Sequence, residues 1–160
     1  MSTVHSHHNN VSADLIWEVT RNQNAFLVKR NTNGGVQFSR DPLNLTNLHS
    51  RKHAGFVNEK AVGVLPAEKG GVTVITKKTK HPQRPAQLSH KVTFGANKTT
   101  RKTYKAIASQ TAKSGYRPDL RAAAVARASA IRRAQLPKKE APAPKLRGAK
   151  AKKAVAEKEE

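Results

Sequence analysis

The sequence predicts an α+β fold: a small antiparallel β-sheet of two hairpins with a short N-terminal helix, followed by two basic helices and a disordered basic tail. Three observations point to it. Two β-prone runs flank glycine-containing turns in the first half of the chain, and helical apolar spacing returns after residue 97. Charge is also divided unevenly, since Lys77 to Glu160 holds 23 of the 31 Lys+Arg and leaves 8 for the first 76 residues. The expected order is a disordered leader over 1–11, a small α/β domain over 12–80, an extended basic arm over 81–96, a basic helical hairpin over 97–136 and a disordered Lys/Ala/Pro tail over 137–160.

Each element has a local reason. In SADLIWEVTRN, Ser12 suits an N-cap and Leu15, Ile16 and Val19 fall at helical spacing around Trp17. AFLVKRNTNGGVQFSR places Asn33-Gly34, which tolerate positive φ, between two strand-like runs. AVGVLPAEKGGVTVITKK repeats the scheme with Pro66 to Gly71 as its turn. One face of the resulting sheet is expected to pack against the Trp17 helix, partly burying Phe26, Val28, Val62, Val64, Val74 and Ile75. DPLNLTNLHSRKHAGF has leucines without a period and reads as irregular, and KKTKHPQRPAQLSHK, mixing prolines with bases, reads as an arm rather than a packed element. From Asn97 to Lys113, Tyr104, Ile107, Ala108 and Thr111 share a helical face, with Gly115 placed to end it. The last stretch, KKEAPAPKLRGAKAKKAVAEKEE, cannot bury enough apolar area to offset its ordering entropy.

Charge narrows the function. A formal net charge of +21 and a pI near 11.0 make an isolated chain repel itself and mark a binder of phosphate-bearing polymers. No stretch approaches the ~20 apolar residues of a membrane span, so no membrane partner is expected. Zero cysteines exclude disulfides and thiolate zinc sites. His5, His7 and His8 have no further ligands at useful spacing, and His49 and His53 have no nearby acid to orient them, so no metal is expected. With no paired acids, no cysteine nucleophile and no phosphate-cradling glycine motif, neither catalysis, a cofactor nor a small-molecule substrate is expected.

The segment YRPDLRAAAVARASAIRRAQ, Tyr116 to Gln135, concentrates the problem. Pro118 and Asp119 suit a helix start, and alanine fills the interior. Leu120, Ala124, Ala128 and Ile131 form one stripe, which looks too narrow to anchor the helix in a large core. Arginines face nearly every direction, and Asp119 is the only acid between Gly115 and Lys139. The missing counter-charge is expected from a partner.

Together with SADLIWEVTRNQNAFLVKRN, DPLNL and KAVGV, this segment resembles the twenty-eight-e family of eukaryotic cytosolic large-subunit ribosomal proteins, in order from about Ser12 to Gln135. The resemblance implies a non-catalytic structural constituent of the large subunit that binds its ribosomal RNA, meets neighbouring ribosomal proteins, works in the cytoplasm and is assembled in the nucleolus. Carried over, it implies RNA contacts by Lys29, Arg30, Arg117, Arg121, Arg127, Arg132 and Arg133. Structured RNA is recognised largely by shape, phosphate and 2′-hydroxyl, so only occasional stacking of Tyr104, Tyr116 or arginine on exposed bases is expected. The basic runs add Lys77, Lys78, Lys80, Arg84, Arg101, Lys102, Lys105, Lys138 and Lys139. Two alternatives compete: a ribosome-assembly factor sharing this domain, and a chromatin-binding basic protein with a Lys/Ala/Pro tail.

Overall fold

The computed structural model describes residues 11–32, 34–80 and 84–140, together with 145, 147–149 and 151. The leader as far as residue 10, Asn33 of the first turn and most of the tail lie outside the described residues. Helix α1 spans Ala13–Thr20, and the Ser12 side chain caps it by accepting the Leu15 N–H at 3.1 Å. Strands β1, Leu27–Lys29, and β2, Gln37–Ser39, pair antiparallel in the register Leu27↔Ser39 to Lys29↔Gln37. Their connection is closed by the Arg30 N–H donating to the Val36 carbonyl at 3.0 Å, and the left-handed residues at its tip are Gly34 and Gly35. The loop is therefore wider than a two-residue turn.

Strands β3, Val62–Pro66, and β4, Gly71–Lys77, form the second hairpin, with Val62 opposite Thr76 and Pro66 opposite Val72. The two hairpins do not make one sheet: β1 and β2 stand as a separate ribbon, and β3 and β4 are joined by a third strand, β5, Ser89–Gly95. Half of the expected basic arm is thus a packed element, entered through the single-turn helix α2, Pro85–Leu88. The strand is register-locked from Gly71↔Gly95 to Lys77↔Ser89, with Val92 and Phe94 opposite Val74 and Val72. Its period of two was present in HKVTF, but the prolines and bases just before it obscured it.

Helix α3, Thr100–Ala108, continues as a π-helical turn over Ser109–Lys113 and ends before Gly115, whose φ of 64° suits glycine. A 3₁₀ turn over Pro118–Leu120 leads into α4, Arg121–Ala134. Both helices cover the valine face of the three-stranded sheet. One core therefore holds Val62, Val64, Val72, Val74 and Phe94 from the sheet with Ile107 of α3, Leu120, Ala124 and Ala128 at α4, and Leu45 from the irregular segment. The stripe that looked too narrow does anchor α4, because Ala124 and Ala128 are 0% exposed and their small size lets the helix close on its neighbours. Thr103 of α3 and Thr111 of the π-helical turn, also buried, donate their hydroxyls to the carbonyls of Thr99 and Ile107 at 3.1 and 3.0 Å, so neither hydroxyl is buried unpaired.

Helix α1 does not pack on this sheet. Leu15 and Val19 are 52% and 73% exposed, and the helix is held instead by Trp17 against the His49 ring, 4.9 Å between centroids, and by the Arg51–Asp14 ion pair at 2.8 Å. The opposite sheet face is met by parts of the irregular segment, Pro42 and Leu43 at Gly63 and Gly55 to Asn58 at Lys77, while Leu45 between them reaches the valine-face core. Asp41 is buried and accepts the N–H groups of Leu43 at 2.9 Å and Phe56 at 3.0 Å. Gly63 of β3 lies so close to this segment that a Cβ would overlap the Pro42 carbonyl. An alanine there is expected to lower the melting temperature by several degrees in a thermal scan, since the obstacle is backbone that cannot turn aside.

Candidate nucleic-acid interface

Helix α4 spends its arginines inward as well as outward. Arg127 donates through Nε to the Val64 carbonyl at 2.8 Å and through Nη1 to the Leu45 carbonyl at 3.1 Å and Asn47 Oδ1 at 3.0 Å. Arg132 donates from both Nη1 and Nη2 to the Ala96 carbonyl and from Nη2 to that of Lys98, each at 3.1 Å. Just before the helix, Arg117 pairs with Asp119 at 2.8 and 2.7 Å and donates to the carbonyls of Lys60 at 2.7 Å and Lys52 at 3.2 Å. Gln135 closes the series with a two-way amide clamp on Gly71, accepting its N–H at 2.9 Å and donating to its carbonyl at 2.8 Å. The planar guanidinium suits this work, because its fork of donors can serve several carbonyls at once.

Two more expected contacts turn inward. Lys77 directs Nζ to the carbonyls of Gly55, Phe56 and Asn58 at 3.2, 3.4 and 2.8 Å, and burial holds its pKa below the ordinary lysine value. The Tyr116 hydroxyl accepts the Ala61 N–H at 3.2 Å and donates to the Lys77 carbonyl at 2.5 Å, tying the ends of β3 and β4, and burial raises its pKa. Tyr116 is therefore a structural tie rather than an open stacking platform.

Asp119 is the carboxylate among these groups whose titration carries information. Its hydrogen bonds from Arg117 hold it below the ordinary aspartate value, and the same bonds raise Arg117. A folded pKa below the unfolded one means stability that is present above the unfolded value and lost as pH falls through the folded one. Asp119→Asn is thus expected to flatten the acid side of a melting-temperature profile below about pH 4. An unchanged profile would show that the pair is not maintained in solution.

The remaining expected bases lie on the surface. Lys29, Arg30, Lys78, Lys80, Arg84, Arg101, Lys102, Lys105, Arg121, Arg133, Lys138 and Lys139 are all exposed. Among the described residues the ion pairs are Arg21–Glu18, Arg51–Asp14 and Arg117–Asp119, so none of these twelve has an acid within bonding distance. Packing of α3 on α4 brings Lys105 and Arg121 to the margins of one open groove, together with Lys113. Lys113, the last residue of the expected helix, was not among the expected contacts, and its place depends on the π-helical turn, which no periodicity signals. Lys98, also missed, stands over the Phe94 ring at 4.7 Å from its centroid. The first hairpin's Lys29 and Arg30 belong to the separate β1–β2 ribbon. No group of three potential metal ligands and no helix long and apolar enough to cross a membrane occurs among the described residues.

Comparison with known proteins gives the chain its family. Residues 15–134 match the Ribosomal L28e protein family. The chain is 49% identical over 130 residues to the large ribosomal subunit protein eL28 of Schizosaccharomyces pombe, covering 81% of this chain and 96% of that one. It is 35% identical over 137 residues to the eL28 of Dictyostelium discoideum, covering 86% and 98% respectively. With the eL28 of Trypanosoma cruzi the identity is 34% over 117 residues, 73% of each chain.

Proposed function

Since the chain belongs to the Ribosomal L28e protein family, we propose that it is a structural constituent of the large subunit of the eukaryotic cytosolic ribosome that holds ribosomal RNA through its exposed bases. The observation that carries the RNA reading is the set of twelve exposed lysines and arginines without acidic partners among the described residues. On a free protein such charges repel one another, whereas against RNA each neutralised phosphate releases a counterion. The chain contacts neighbouring ribosomal proteins, acts without catalysis, and joins the subunit during nucleolar assembly. Lys77, Arg117, Arg127 and Arg132 serve this function by fixing the scaffold, and Lys138 and Lys139 extend the basic surface past α4.

The test replaces Arg121 and Arg133 with glutamate. Neither makes an ion pair among the described residues, so each change is expected to alter stability by within about 0.5 kcal/mol. Incorporation into large subunits, in competition with tagged wild-type chains, is expected to fall severalfold. In vitro, the slope of log K against log salt for ribosomal RNA fragments should shrink by about 1.4 to 1.8 for two lost contacts. An unchanged slope with equal incorporation would remove these arginines from the RNA surface.

A further inference from the structure

The groove between α3 and α4 has a composition that the phosphate-binding reading does not explain. Its floor is apolar, formed by Ala108 and Ala112 on one side and Ala122, Val125 and Ala126 on the other, and Tyr104 stands at one end. Lys105, Lys113 and Arg121 border it, and Ser109 and Ser129 offer hydroxyls. The single carboxylate in its lining among the described residues, Asp119, is already held by Arg117 at 2.8 and 2.7 Å. Resting on the RNA-binding reading above, we propose that this groove takes up an unpaired nucleotide of RNA, its base lying against the alanine floor beside Tyr104 and its phosphate between Lys105, Lys113 and Arg121.

The geometry favours a single base over a duplex. Helices packed at an interaxial distance of about 8–10 Å leave only a narrow surface groove along their seam, which can seat a flat ring but not the width of a paired helix. Alanines are what leave that channel open: with leucines at 122 and 126 the helix surfaces would fill it. An unstacked base brings a planar apolar face for the floor, polar edges for Ser109 and Ser129, and an adjacent phosphate for the cationic margin. A peptide would fit the floor but would have to be acidic to satisfy the same margin. The π-helical turn over Ser109–Lys113 supplies part of this wall, contributing Ser109, Ala112 and Lys113.

The experiment uses the full chain and two RNA hairpins of equal length, one fully paired and one carrying a single unpaired 2-aminopurine in its stem. Wild-type protein is expected to bind the bulged hairpin about tenfold more tightly, with a change in 2-aminopurine fluorescence on binding. Ala122→Phe and Ala126→Phe fill the groove without altering charge. Both alanines are exposed, so the variants should melt like wild type. Each should bind both hairpins with the affinity wild type shows for the paired one. Tyr104→Leu should retain the paired-RNA affinity and lose the fluorescence change. Equal wild-type binding of the two hairpins overturns the groove assignment and leaves phosphate binding standing, whereas binding of neither overturns the RNA reading itself. Preference for the bulge that survives both phenylalanines, or competition at the groove by an acidic peptide instead of the bulged RNA, also overturns the assignment.

Discussion

Arg127→Met is expected to destabilise the protein by about 2–4 kcal/mol, far more than the same change at the exposed Arg133. Methionine keeps most of the aliphatic length, so the difference isolates the guanidinium and its bonds to the Val64 carbonyl, the Leu45 carbonyl and Asn47 Oδ1. Hydrogen bonds from a charged donor contribute roughly 1.5–3 kcal/mol each when buried, and less where solvent reaches, as it does at Asn47. Asn47 also sits at a φ of 56°, an uncommon conformation for a residue with a side chain. Two bonds restrain it there, the Arg127 contact and the Ser39 N–H donating to its own carbonyl at 2.7 Å. Losing the guanidinium removes the first of these restraints together with the bonds that join α4 to Val64 and Leu45. Urea unfolding of the two methionine variants beside wild type measures the effect. RNA titrations give the opposing outcome: if Arg127 were a phosphate contact, stability would hold and the salt slope would fall by about 0.7–0.9.

That contrast explains what the sequence could and could not disclose. The Ser12 cap, both hairpins, the existence of a helical run before Gly115 and the helix after Pro118 are local matters of spacing and turn chemistry, and they were legible, although the run expected from Asn97 begins at Thr100 and is α-helical only to Ala108. The same is true of the stripe Leu120, Ala124 and Ala128, whose direction was right though its strength was underrated. Formal charge leaves out where an arginine's donors go. An arginine without an acidic neighbour looks as if it must await a partner, yet a carbonyl oxygen carries partial negative charge and leaves no trace in composition. Arg117, Arg127 and Arg132 each donate to carbonyls at least thirty positions away in sequence, a separation at which no helical pattern operates. Arg121 and Arg133, by contrast, are exposed and make no ion pair among the described residues. The segment YRPDLRAAAVARASAIRRAQ is therefore largely a packing device, in which Tyr116, Arg117, Arg127, Arg132 and Gln135 fasten the sheet and loops to one helix. Strand β5 was missed for a different reason: turn-forming residues ahead of it dominated the reading, while its partner face is supplied only by β4.

A chain ending at Ala96 is accordingly expected not to fold, although the sequence suggested an independent domain over 12–80. Such a fragment keeps all five strands but loses α3 and α4, and with them the cover over Val62, Val64, Val72 and Val74, of which none is more than 1% exposed in the whole protein. Burying a valine contributes about 1.5–3 kcal/mol, so uncovering four removes on the order of 6–12 kcal/mol. That is comparable to the entire stability of a small domain, about 5–15 kcal/mol. The fragment also loses Arg127 on Val64, Arg132 on Ala96 and Gln135 on Gly71, which hold β3, the end of β5 and the start of β4. Helix α1 cannot take over the exposed face, because it is tethered to His49 and Arg51 of the irregular segment, parts of which meet the other side of the sheet. Hydrogen exchange should find no lasting protection in β3 and β4 of the fragment, and heating should give no cooperative transition. Adding a peptide spanning 97–136 should restore both, since it returns Ile107, Leu120, Ala124 and Ala128 to the valine face. Protected valine amides and a sharp melt in the fragment alone would instead mean that the sheet carries its own core, with α3 and α4 an appendage held for RNA.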